Sequence, residues 1–308
     1  MENIYDIIII GGGPAGITAG IYGIRSGLKV LVLEKQNVGG SVINTYEIKN
    51  FPTYKNITGA DFCVKLYEQA SFNNLEIKNE EVIDVDFSDK IKTIKTKNNF
   101  FKTKTVIICS GTTPKKLGIE NEEELIGRGI SYCALCDGNF FKDKIVGVVG
   151  GGDSSMEDAI YLSSLCKKVY VFVRNSSLKA QVVLQNTLFD SNKKNNNIEI
   201  LYNTQVKKLL GENKLEEIEI DNKTQPKRLK IDGLFLAIGS NPDTNIYKNK
   251  LDLNDYGYIK TDANLQTSIK GVFAGGDVIE KQIRQIITAC SDGAVCATNA
   301  NSFIKENF

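Results

Sequence analysis

Tyr5-Asp6-Ile7-Ile8-Ile9-Ile10, followed at once by Gly11-Gly12-Gly13-Pro14-Ala15-Gly16, is the stretch on which the fold turns. The apolar, β-branched run reads as a strand buried on both faces of a parallel sheet. Ile17, Ile21 and Ile24 then recur at helical spacing, and Lys29 to Leu33 forms a second apolar run that ends at Glu34. Strand, glycine turn, helix, strand and acid is the context that a G-x-G-x-x-G motif needs to be a dinucleotide cradle. Gly11 permits the tight turn, Gly13 lets the backbone approach a pyrophosphate at the helix N-terminus, and Gly16 lets helix and strand pack closely. Glu34, 23 residues after Gly11, is placed to accept hydrogen bonds from a ribose.

Downstream, Thr58-Gly59-Ala60-Asp61 reads as a helix start, with Phe62, Leu66 and Ala70 on one face. Residues 80–104 read as short strands with Asn- and Lys-rich turns, and Thr105 to Cys109 as a closing strand before Ser110-Gly111-Thr112-Thr113-Pro114. The plan then repeats. Ile145 to Val149 is a strand, Gly150-Gly151-Gly152-Asp153-Ser154-Ser155 a glycine turn, Met156 to Cys166 a helix and Val169 to Val173 a strand. Short strands between Ile198 and Ile231 lead to a closing run, Gly233 to Ile238, and to Gly239-Ser240-Asn241-Pro242. A third piece, Gly271 to Val278, is a strand ending in Gly275-Gly276-Asp277, after which Arg284-Gln285 open a long alanine-rich helical pattern. This piece suits a return to the first domain, where Asp277 would meet a ribitol or ribose hydroxyl. The expected fold is α/β: two Rossmann-like, three-layer dinucleotide-binding domains, the second inserted into the first. The boundaries are 1–113 with 243–308 for the first domain, and 114–242 for the second.

The second cradle is tuned differently. Counting 23 residues from Gly150 reaches Val173, with no acid there; Arg174 follows and Lys179 is close by. Loss of the ribose carboxylate in favour of basic groups marks a 2′-phosphate, hence NADP rather than NAD.

Between the cradles lies Cys133-Ala134-Leu135-Cys136-Asp137-Gly138-Asn139. A single CxxC in a polar setting, in a chain without histidine, lacks the ligands of a zinc site and reads as a redox-active pair. Cys63, Cys109, Cys166, Cys290 and Cys296 read as buried small hydrophobes, and the acidic run Glu120, Glu122, Glu123, Glu124 as a solvated loop or helix face.

The absence of His also excludes Ser-His-Asp triads, Cys-His nucleophile pairs and His-ligated metals. With 42% hydrophobic and 24% charged residues and a net charge of +1, the chain has a globular composition and no general attraction to nucleic acid or to membrane surfaces. No segment approaches 18 consecutive apolar residues. The N-terminal MENIYDIIII carries no secretory signature, so the expected location is cytoplasmic.

As an ordered set, GGGPAG (11–16), LEK (33–35), ITG (57–59), SGTTPKKLGI (110–119), YCALCDG (132–138), GGGDSSMEDA (150–159) and GVFAGGDV with RQ (271–278, 284–285) resemble the low-molecular-weight thioredoxin reductases over nearly the whole chain. The resemblance implies FAD on the first domain, held by Gly11, Gly13, Pro14, Ala15, Gly16, Glu34, Lys35, Gly40, Asn50, Gly111, Asp277, Arg284 and Gln285. It implies NADPH on the second, held by Gly150, Gly152, Asp153, Ser154, Arg174 and Lys179. It also implies a homodimer, a thioredoxin or thioredoxin-like partner, and a redox disulfide between Cys133 and Cys136. In that scheme Cys136 faces the flavin, Cys133 attacks the partner disulfide, and Asp137 gives or takes the proton. Rotation of the second domain about crossings near Thr113 and Pro242 is part of the same scheme.

Departures from the family pattern concern the electron donor. Val173-Arg174-Asn175 stands where a His-Arg-Arg run is usual, and Lys179 where an Arg is usual. This weakened phosphate grip motivates the alternatives, NADH or reduced ferredoxin as donor, or a flavin redox sensor without turnover.

Overall fold

The computed structural model describes residues 4–45, 48, 50–221 and 226–308, and not the side chains of Asn44, Leu135 and Cys136. The chain divides into two compact units, Met1–Thr113 with Asn241–Phe308, and Pro114–Ser240. In chain order the first unit has β1 (Ile4–Ile10), α1 (Pro14–Arg25), β2 (Val30–Glu34), α2 (Gly59–Phe72), β3 (Glu76–Asn79), β4 (Val82–Asp86), β5 (Lys92–Thr96) and β6 (Phe100–Ile108). A short β7 (Thr112–Pro114) leads into the second unit. There follow β8 (Ile130–Ser131), α3 (Ala134–Asp137), β9 (Ile145–Val149), α4 (Asp153–Ser163), β10 (Lys168–Val173), α5 (Val182–Asn195) and β11 (Ile198–Tyr202). Then come β12 (Gln205–Leu210), β13 (Glu217–Asp221), β14 (Pro226–Lys230), β15 (Gly233–Leu236) and β16 (Ser240–Pro242). The chain returns to the first unit for β17 (Val272–Ala274) and α6 (Ile286–Asn307).

The main sheet of the first unit runs β3-β2-β1-β6-β5-β4. β1 pairs in parallel with β2 on one side and β6 on the other. β6 changes partner along its length: Phe100–Thr103 pairs antiparallel with β5, and Val106–Ile108 pairs parallel with β17. The meander and the returning strand thus share one edge of a single strand. Every residue of β2 is buried, as a parallel strand covered on both faces must be. Ile7, Ile9 and Val32 pack with Ile17 and Ala19 of α1 on one face. Ile8, Ile10 and Leu31 pack with Tyr247 and Ile259 on the other.

The second unit repeats the arrangement with an all-parallel sheet, β11-β10-β9-β15-β8, and an antiparallel β12-β13-β14 layer. Met156, Ala159 and Leu162 of α4 cover one face, while Leu209, Ile218 and Ile220 of the small sheet cover the other. Both large sheets are mixed or parallel α/β sheets with helices on them, the fold class read from the sequence. In both, the first strand lies between its second strand and the closing strand. That reversal of strand order opens a crevice at the carboxyl ends of the strands.

Two expectations are corrected. Glu122 is not solvated: it is 3% exposed, and its carboxylate accepts the N–H groups of Leu117 (2.9 Å) and Gly118 (2.7 Å) and the Tyr132 hydroxyl (3.1 Å). A carboxylate that closes a loop onto itself is buried by that work. Cys290 is only partly buried, whereas Cys63, Cys109, Cys166 and Cys296 are core residues. Among the described residues, no helix is long and apolar enough to cross a membrane.

Candidate functional site

In each unit the glycine turn sits at the carboxyl end of the central strand. The Gly11 N–H donates to Leu33 O (2.8 Å), and the Gly150 N–H donates to Phe172 O (3.1 Å). Gly11 has φ +106° and Gly150 φ +149°, and a Cβ on either would run into the carbonyl of the residue just after the closing strand, Cys109 after β6 or Ala237 after β15. A side chain at these positions is excluded by both torsion and space. The helices that follow, α1 and α4, have Gly13 and Gly152 as N-caps with no side-chain cap. The first-turn N–H groups therefore have no side-chain acceptor at the cap, and the positive end of the helix dipole lies behind them.

Around the first cradle the structure brings together most residues marked by the sequence. Glu34, 9% exposed, accepts the Gly12 N–H (2.6 Å) and the Gln36 N–H (2.8 Å). The Gly39 N–H donates to Gly12 O (2.9 Å), which lays Gly40 against Gly13. Lys35 pairs with Asp243 (2.7 Å), whose backbone N–H reaches Gly111 O (3.1 Å). A cavity of about 130 Å³ is lined by Gly11, Glu34, Lys35, Glu81, Val82 and Tyr247 among others. Glu81, Val82 and Tyr247 were not marked by sequence reasoning, because they lie far from the motif in sequence and reach it only through tertiary packing.

A second group gathers at the start of α6. Asn50 Nδ2 donates to Gln285 Oε1 (3.0 Å), and Gln285 forms a reciprocal capping box with Thr288. Arg284 lies with its guanidinium 4.1 Å from the centre of the Tyr258 ring and donates to Asp277 O (3.4 Å) and Ile279 O (3.3 Å). Asp277 Oδ1 is buried and has no hydrogen-bond partner among the described residues. Burial pushes its carboxyl up, against the pull of Lys281 and Arg284. Lys281 pairs with Asp292 (2.5 Å), which also accepts the Gly276 N–H (2.8 Å). Neither Lys281 nor Asp292 was marked in the sequence. An acid among small residues in Ala289-Cys290-Ser291-Asp292-Gly293-Ala294 is the signal that could have found it.

In the second unit, Asp153 grips Gln181 through its backbone N–H (2.8 Å) and its side-chain amide (2.9 Å). Gly151 O accepts the N–H groups of Lys179 (2.6 Å) and Ala180 (3.1 Å). These bonds hold the segment carrying Arg174 and Lys179 against the glycine turn, with both side chains exposed, as is Ser154. Val173 is the last, buried residue of β10, so the position equivalent to Glu34 of the first unit carries no acid.

Cys133 is half-buried and held in a disulfide; the Cys136 side chain lies outside the described residues. The other five cysteines are free. Burial pushes the Cys63 and Cys166 thiols up to about 11 and Cys109 up to about 12, so none is a ready nucleophile. Asp137 closes the single turn of α3 through its N–H to Cys133 O (3.1 Å) and accepts the Ser131 hydroxyl (2.6 Å).

Comparison with known proteins agrees with this architecture. The family model "Pyridine nucleotide-disulphide oxidoreductase" matches residues 5–293. A thioredoxin reductase from Peptoclostridium acidaminophilum is 38% identical over 317 residues, covering 100% of this chain and 99% of that protein. A 34.2 kDa protein in the rubredoxin operon of Clostridium pasteurianum is 42% identical over 306 residues, covering 98% of each. The crystal structure of Lactococcus lactis thioredoxin reductase superposes with a TM-score of 0.86 at 37% identity, covering 98% of this chain and 99% of that one. The chain belongs to the pyridine nucleotide-disulphide oxidoreductases and, within them, to the thioredoxin reductase family.

Proposed function

We propose that this chain is a thioredoxin-disulfide reductase that uses NADPH, FAD and a Cys133–Cys136 disulfide to reduce an oxidised thioredoxin or thioredoxin-like protein. The observation that carries the reading is a disulfide-bonded Cys133 whose helical turn ends on Asp137, in the unit that also holds the second glycine cradle. Bound FAD would supply two-electron exchange between a nicotinamide and a disulfide.

The first unit fits that group. The uncapped N-terminus of α1 suits a pyrophosphate, Glu34 a ribose, and the unpartnered Asp277 Oδ1 a hydroxyl donor. The α6 end, with Asn50 on Gln285, offers a rigid polar wall. On the second unit, Arg174 and Lys179 offer positive charge for a 2′-phosphate, and the α4 N-terminus offers N–H donors for a pyrophosphate.

The partner-reducing half of the reaction is carried by the chain's own residues. Cys133 gives its thiol proton to the Asp137 carboxylate, attacks the partner disulfide as the thiolate and forms a mixed disulfide, and the departing partner sulfur takes that proton from Asp137 to leave as a thiol. Cys136 attacks Cys133 Sγ, releasing the second partner thiol and restoring the Cys133–Cys136 bond. Two electrons and two protons pass to the partner, with Asp137 taking and returning the proton at its carboxylate. A homodimer belongs to this reading as well, on the motif resemblance to the low-molecular-weight thioredoxin reductases.

The test is anaerobic flavin reduction of the purified protein by NADPH, NADH and reduced ferredoxin in turn, then steady-state thioredoxin reduction by wild type and Cys136→Ser. Rapid bleaching by NADPH, multiple turnovers of thioredoxin in wild type, and loss of thioredoxin reduction alone in Cys136→Ser are expected. Bleaching only by NADH or ferredoxin would replace the donor, and absence of turnover would make the chain a sensor rather than a reductase.

A further inference from the structure

We propose that Ser131 is a positioning residue for the disulfide chemistry, its hydroxyl holding the Asp137 carboxylate in register with Cys133; this rests on the reductase reading above.

Ser131 is the last residue of β8, 5% exposed, and its backbone is paired with Phe235 of the buried strand β15. Its hydroxyl is therefore set by the core of the unit rather than by the loop that carries the cysteines. Oγ accepts the Cys133 N–H (3.0 Å) and donates to Asp137 Oδ2 (2.6 Å). The Asp137 N–H donates back to Cys133 O (3.1 Å). The three residues close a ring: strand end, first cysteine, acid.

A serine hydroxyl has one proton to give. Cys133 O lies 3.2 Å from Oγ, a longer and neutral alternative to the carboxylate. The short, charge-assisted bond to Asp137 takes the proton. With Oδ2 anchored in this way, Oδ1 is the oxygen that exchanges a proton with sulfur.

The consequence is specific. During thiol–disulfide exchange, the bond between the two active-site sulfurs forms, the partner's S–S bond breaks, and the partner gains two electrons and two protons. Asp137 accepts a thiol proton as the active-site sulfur attacks and delivers it to the departing partner thiolate, ending unchanged. A carboxylate free to rotate would meet the sulfur less often in the productive geometry. Ser131 contributes by limiting that rotation without itself touching the reacting atoms.

The experiment follows a single turnover of dithiothreitol-reduced holoenzyme with an oxidised, tryptophan-containing thioredoxin, after removal of the reductant. Partner fluorescence is an unobstructed readout because this chain has no Trp. Ser131→Ala is expected to slow exchange roughly tenfold, the effect of losing one hydrogen bond to a charged group. Ser131→Thr, which keeps the hydroxyl, should restore the rate to within about twofold, a rescue that packing alone would not produce. On an Asp137→Asn background, Ser131→Ala should cost less than about twofold more, since its effect runs through the carboxylate. An equal tenfold loss on that background, or a Thr variant as slow as Ala, would overturn the proposal. A wild-type reduced enzyme that does not exchange with thioredoxin at all would instead remove the reductase reading, and this proposal with it.

Discussion

Lys281 Nζ lies 2.5 Å from Asp292 Oδ2, and that same oxygen accepts the Gly276 N–H at 2.8 Å. The two side chains are only 12% and 17% exposed. One carboxylate thus ties the loop after β17 to the second turn of α6. In doing so it sets Gly276, and the adjacent Asp277, beside Ala15 at the start of α1. The arrangement costs desolvation of two charges, and breaking such a pair leaves one charge buried without its partner.

Asp292→Ala or Lys281→Met should therefore lower the unfolding free energy by about 3–5 kcal/mol. The Asp292→Ala/Lys281→Met double variant should lose less than the sum of the two single changes. Urea unfolding monitored by far-UV circular dichroism measures all of them. Additive losses would show that the pair contributes nothing as a pair.

On the proposed NADPH reading, the donor preference would rest on two exposed cations, Arg174 and Lys179. Arg174→Ala and Lys179→Ala should each raise the KM for NADPH by roughly tenfold and leave the KM for NADH within about twofold, since only the former carries the 2′-phosphate. Steady-state kinetics with both nucleotides decides this. Equal effects on the two would assign these residues to the common part of the nucleotide.

Asp158, on α4, has its carboxyl pushed up to about 7, chiefly by burial and then by the neighbouring Glu157. An unfolded aspartate titrates near 3.8, so between these values the folded chain holds a proton that the unfolded chain has lost. The contribution to stability is complete below the unfolded value and falls as pH rises through 7, by about 1.4 kcal/mol per pH unit across the window. Asp158→Asn, neutral at every pH, should flatten this fall and be more stable than wild type at pH ~8. Urea titrations of both proteins at several pH values between 4 and 8 measure it, and parallel stability curves would refute it.

Tyr132, the residue before Cys133, has its phenol pushed up to about 12, first by burial and then by the charge and hydrogen bond of Glu122. Glu122→Gln should bring that value partway back toward 10, the burial part remaining. Ultraviolet titration, with Tyr132→Phe subtracted to isolate one of the 12 tyrosines, reads the shift. Glu122→Ala should in addition cost about 2–3 kcal/mol of stability, because the Leu117 and Gly118 N–H groups lose a charged acceptor.

Local sequence pattern determined the two cradles. The run Tyr5 to Ile10 before Gly11, and Ile145 to Val149 before Gly150, combine β-branched strands with turns that only glycine can make, and these preferences act over a dozen residues. The recurrence of the strand–glycine–helix order after residue 144 was likewise visible in the sequence, as was the single CxxC in a chain with no His. Tertiary structure alone decided the long-range partners. It buried Glu122 in a run that reads as solvated, paired Lys281 with Asp292, brought Glu81, Val82 and Tyr247 to the first cradle, and set Ser131 between Cys133 and Asp137. Periodicity shows which residues share a face of their own element. Which distant polar groups meet is determined by sheet register and by the demand that every buried donor and acceptor be satisfied, and neither is written in a window of neighbouring residues.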